Sequence, residues 1–178
     1  MKQIRNGVFE TNSSSIHSIA IPKSVDRNIS HVSFGFDDFG WSFEEVDHLD
    51  YLHTAIYVVY ADSAKEKIEK LVDVLKRNDI EFYFSKPKYD KYGFDSGYID
   101  HGYELKSFLE TLFNDEDLLI RYINGGRVFT GNDNSNYKEM AFVSRDEPTY
   151  EEIDWNTRKC TTYDNPYYMG DEYQWFYK

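Results

Sequence analysis

A serine hydroxyl beside an imidazole can pass its proton to the ring and act as a nucleophile. The string FETNSSSIHS, residues 9–18, gathers Ser13, Ser14 and His17 for that chemistry, and its Thr11, Asn12 and Ser15 suit a phosphate, a ribose or a carboxylate. The same residue types bond their own backbone in polar turns, so the string also reads as a turn. A second polar knot is GYIDH, residues 97–101, where Asp100 could orient His101 as an acid or base. Neighbours in an extended segment point to opposite sides, which weakens a direct pair. The third string, TGNDNSN at 130–136, follows Gly125 and Gly126. It lacks the lysine and following helix of a P-loop, and its Asn, Asp and Gly suit a hairpin turn. An enzyme built on these strings, acting on a nucleotide or on a protein side chain, would use Ser13, Ser14, His17, His101 and Asp133, and the three strings would have to converge in one pocket.

Other reactive groups carry less. The five histidines, His17, His31, His48, His53 and His101, form no HExxH pair, and a lone cysteine excludes the usual structural zinc patterns. Asp133 begins no calcium loop, because the later ligand positions do not follow. No metal and no cofactor is expected. Glu151 and Glu152 read either as an acidic pair or as solvated surface, and Cys160 beside Lys159 either as an activated or as a passive thiol.

Charge carries more information. The chain has 32 acidic against 20 basic side chains, a formal net charge of −12. Residues 1–36 are net +2, whereas 37–50 hold six acids and no base. Such a surface repels phosphate backbone and attracts basic patches, although acidity also serves solubility alone. The expected partner is a basic protein, with no direct binding of duplex DNA. Its expected contacts are Asp37, Asp38, Glu44, Glu45, Asp47 and Asp50, and in the tail Tyr167, Tyr168, Asp171, Glu172 and Tyr173.

The elements that position these groups follow from periodicity. Ala64, Ile68, Leu71, Val72 and Leu75 recur at helical spacing and predict a helix over 64–77, opened by a Ser63–Glu66 capping box and laced by Glu66–Lys70 and Asp73–Arg77 pairs. A preceding helix is predicted over 43–60, with the acids in its first turn. Leu105, Phe108, Leu109, Leu112 and Phe113 predict a third, and Asn114 caps a fourth that Gly125 and Gly126 stop. Ile80, Phe82 and Phe84 alternate with Glu81 and Tyr83 and predict a strand over 80–84; shorter strands are expected at 16–21, 32–36, 127–130 and 140–144, with a turn-rich loop from 86 to 102. The expected fold is α+β: a mainly antiparallel sheet packed with about four helices, one domain over 1–178. The acidic, tyrosine-rich segment 146–178 has no sustained period and reads as irregular structure or an edge hairpin.

The 16 Tyr, 13 Phe and 3 Trp give a folded chain enough buriable surface despite its charge. With one cysteine, no apolar signal-length stretch in the first 25 residues and no run near membrane-spanning length, the expected compartment is the cytoplasm. The FETNSSSIHS, GYIDH and TGNDN segments together resemble a family of small proteins borne by bacterial phages and mobile elements, over most of the chain, and this makes the expected cytoplasm that of a bacterial host. With its acidity, the chain is similar to anti-CRISPR proteins directed at a type II RNA-guided nuclease. That resemblance implies a protein without chemistry of its own that binds the nuclease, or its complex with guide RNA, and blocks DNA binding or cleavage. Clustered carboxylates would then occupy phosphate or base sites.

Overall fold

The computed structural model describes residues 15–25, 29–132, 145, 147–154 and 156–177. The chain opens with strands β1 (Ser15–Pro22), β2 (His31–Phe34), β3 (Asp38–Phe39) and β4 (Glu44–Val46), followed by helices α1 (His48–Tyr60) and α2 (Ala64–Arg77). Next come short strands β5 (Glu81–Phe84), β6 (Tyr89–Asp90), β7 (Gly93–Phe94) and β8 (Tyr98–Ile99), then helices α3 (Lys106–Asn114) and α4 (Glu116–Gly125). Strands β9 (Arg127–Asn132), β10 (Thr149–Asp154), β11 (Lys159–Asp164) and β12 (Tyr173–Tyr177) end the chain.

The architecture is mixed helix and strand. Its main sheet is antiparallel, in the order β12-β1-β9-β4. Two short pairs, β2 with β5 and β3 with β8, are parallel instead. Helix α1 lies at the centre, burying Tyr51, Leu52, Ala55 and Ile56 against Ile19, Ile21, Phe34, Ile99 and Leu105. Helices α3 and α4 add Leu109, Leu112, Leu119 and Tyr122 to the same core. Among the described residues no helix is long and apolar enough to cross a membrane.

Several local expectations are corrected. The helix expected from 43 begins at His48, because residues 44–46 instead pair with β9 (Glu44 opposite Thr130, Val46 opposite Val128) and Asp47 caps the helix. Only Asp50 of the acidic block lies in the first turn. Ser63 makes no cap: a 3₁₀ turn at Ala61–Ser63 runs straight into α2, so Ser63 is not extended, and its hydroxyl donates to Tyr60 O at 3.0 Å. Lys70 Nζ donates to Phe113 O at 2.7 Å, and Arg77 Nη2 to Glu116 Oε2 at 2.7 Å, so both cations tie α2 to the α3–α4 corner. Asp115 rather than Asn114 caps α4, accepting from Leu118 N at 3.0 Å. The turn-rich loop holds β6, β7 and β8, and the tail supplies β12 to the main sheet as well as the β10–β11 hairpin. The strand expected at 140–144 lies outside the described residues.

Candidate protein-binding surface

The acidic block divides into carboxylates that hold the fold and carboxylates that face solvent. Glu45 takes a two-pronged bond from Arg127, Nε to Oε1 and Nη2 to Oε2, both 2.6 Å. That bond holds the Glu45 carboxyl below the usual range. Asp47 Oδ1 accepts from Leu49 N at 2.9 Å and Asp50 N at 3.0 Å, satisfying amides at the α1 start. Asp50 accepts from Gly35 N at 2.5 Å while burial pushes its carboxyl up. A Cβ on Gly35 would stand 2.8 Å from that carboxylate, so glycine permits the approach. Glu44 is exposed and accepts from the Ser42 hydroxyl. Asp37 and Asp38 are exposed as well; Asp37 uses one oxygen to cap Asp38 N at 2.8 Å.

Asp38 also anchors an aromatic feature. It is the register partner of Tyr98 across the parallel β3–β8 pair, and in such a pair both side chains stand on one face. That face looks outward, while Phe39 and Ile99, the next pair, are buried. Trp41 stacks on Tyr98 with ring centroids 5.6 Å apart and planes 22° apart, yet the two residues stay 62% and 47% exposed. Gly97 makes the strand approach possible, since a Cβ there would lie 2.6 Å from Asp37 O. Composition revealed the aromatic excess, but nothing local to Trp41 marks it as a partner of Tyr98.

The polar strings do meet in part. His17 Nε2 lies 2.8 Å from Asp100 O, and because a carbonyl only accepts, Nε2 carries the proton. His17 is also the register partner of Thr130, whose hydroxyl donates to Ser42 O at 3.0 Å. Each string thus contributes to one neighbourhood around β1 and β9. The neighbourhood is closed: His17 is 1% exposed, packs 5.8 Å from the Tyr51 ring, and burial lowers its pKa. His101 adopts a left-handed backbone at φ 54° and points Nδ1 at Glu104 Oε1, 3.6 Å away, rather than at Asp100. Ser13, Ser14 and Asp133 lie outside the described residues.

The tail residues are engaged within the chain. Arg145 lays its guanidinium 5.2 Å over Tyr167 and 4.1 Å over Phe129. Tyr168 donates its hydroxyl to Asp171 Oδ1 at 3.3 Å. Glu172 O accepts from Lys23 N at 2.9 Å, and Tyr173 pairs with Pro22 in the sheet. Cys160 donates to Glu151 Oε2 at 3.3 Å, and the carboxylate raises the thiol's pKa, so Lys159 does not activate it. Among the described residues no group of three or more His, Cys, Asp or Glu side chains is arranged to hold a metal. Compared with protein families, curated proteins and solved structures, the chain matches none.

Proposed function

We propose that the chain, read as one domain, is a binding protein that covers a basic, nucleic-acid-handling surface of another protein and thereby inhibits it. The observation that carries this reading is the solvent-facing Trp41–Tyr98 stack with Asp38 on the same face and Asp37 beside it. Tryptophan and tyrosine are the anchors that dominate protein interfaces, because they contribute large contact area at low entropic cost. A tryptophan held in water by a stacking partner has its ordering already done. The adjacent carboxylates give the patch the sign that attracts arginine and lysine and repels phosphate.

The resemblance to anti-CRISPR proteins supplies the class of partner: an RNA-guided nuclease whose basic channel would be covered at the cost of DNA binding or cleavage. The test is inhibition of such a nuclease by the full chain, repeated with Trp41→Ala and with Asp37→Asn/Asp38→Asn. Inhibition that weakens in both variants and falls with rising salt supports the reading. Full inhibition by both variants would remove this surface from the mechanism.

An enzyme is the second reading, supported by the meeting of His17, Asp100 and Thr130. Against it stands the depth of His17, whose protonated nitrogen is already committed to a backbone carbonyl.

A further inference from the structure

A cleft of about 710 Å3 opens between the α1–α2 corner and the β6–β7 hairpin, away from the residues considered so far. That volume suits a ligand group rather than a single water. Its walls are aromatic. Tyr57 and Phe94 stack with centroids 5.1 Å and planes 15° apart, Tyr89 stands edge-on to Phe94 at 6.1 Å, and Tyr92 closes the rim. Tyr89 and Tyr92 are 64% and 84% exposed. The one carboxylate in the lining, Asp62, has no hydrogen bond or ion pair among the described residues. Lys65 also borders the cleft, but its Nζ lies 3.8 Å from Glu69 Oε1, so its charge is partly answered.

We infer that this cleft receives an arginine side chain of a partner protein. A guanidinium is planar, so it lies flat on a ring face where a lysine ammonium only touches it, and its fork of N–H donors fits a carboxylate such as Asp62. The chain already sets cations over its own rings, Arg145 over Phe129 and Tyr167, and Lys91 Nζ 4.6 Å above the Tyr92 ring. Lys91 is an internal competitor for one face of the rim. At long range the net charge of −12 draws cationic partners to the protein, and within the cleft the preference for a cation comes from Asp62, since Lys65 leans toward Glu69. This deepens the binding-protein reading by naming the chemistry the partner presents, and it rests on that reading for the source of the arginine.

The full chain should be titrated with N-acetyl-arginine amide, with its lysine counterpart and with adenosine monophosphate, following tyrosine ring-proton NMR shifts. The expected result is saturable, about millimolar binding of the arginine probe, weaker binding of the lysine probe and none of the nucleotide. Asp62→Asn and Tyr89→Ala, both at exposed positions, should weaken it by about threefold to tenfold, whereas Lys91→Ala should tighten it. No saturation, equal lysine binding, preferred binding of the nucleotide, or an unchanged Asp62→Asn variant would overturn the inference. Probe binding together with failure to inhibit any basic nuclease would keep the cleft and discard the proposed partner class instead.

Discussion

The protonated Nε2 of His17 donates to the main-chain oxygen of Asp100 at 2.8 Å, joining strand β1 to the end of β8 across 83 positions of sequence. His48 and His53 act alike. His48 Nε2 lies 3.2 Å from Ile123 O and His53 Nδ1 lies 2.8 Å from Gly35 O, so three of the five histidines fasten distant backbone segments. Replacing His17 by Ala leaves a hole and takes the donor from a part-buried carbonyl. The expected loss is about 2–3 kcal/mol, read from the urea midpoint at constant slope.

The same histidines predict acid lability. Burial lowers the pKa of His17 and His48 and takes His53 down to about 4, from an ordinary 6.5. Between those two values the unfolded chain binds a proton at His53 that the folded chain refuses. Stability is therefore complete above about pH 6.5 and declines as pH falls toward 4, with His53 alone contributing about 3 kcal/mol across the window. Urea titrations from pH 7.5 to 4.5 should show the decline, and His53→Phe should flatten it. A stability constant over that range would contradict the neutral buried rings.

Two kinds of carboxylate in the 37–50 block should separate by mutation. Asp47→Ala removes the α1 cap and should lower stability by about 1 kcal/mol. Glu45→Lys sets a cation against Arg127 and should destabilise the fold further. Asp38→Asn, at an exposed position on β3, should leave thermal stability within about 0.5 kcal/mol. Calorimetric scans of the three variants check the order. Only the Asp38 change should weaken partner binding without weakening the fold.

Trp41→Ala is the sharpest test of the surface. At 62% exposure the indole contributes little to the core, so stability should change by less than about 1 kcal/mol. As an interface anchor it should account for about 2 kcal/mol of binding, about a thirtyfold loss in affinity. Affinity measured for the variant and for Tyr98→Ala should fall together, because each ring orders the other.

Elements whose signals are local were legible from sequence. The stripe of Ala64, Leu71 and Leu75 marked α2, the Gly125–Gly126 pair marked the end of α4, and the alternation of Phe82 and Phe84 with Glu81 and Tyr83 marked β5. The acidity of 37–50 and the convergence that an enzyme would need were also readable as questions. Their answers were not, because the deciding contacts are distant: Arg127 reaches Glu45 over 82 residues and Pro22 pairs with Tyr173.

The sequence by itself determined the sign of the surface, the aromatic supply for the core and the main helical segments, since composition and short-range periodicity act through neighbours on one turn or one strand. Only the tertiary structure decided which acids are bound within the chain and which stand beside Trp41 and Tyr98. A carboxylate becomes a cap, an ion pair or an exposed charge according to the donor that folding brings to it, and for Glu45 and Asp50 that donor is Arg127 on β9 or Gly35 in the loop after β2.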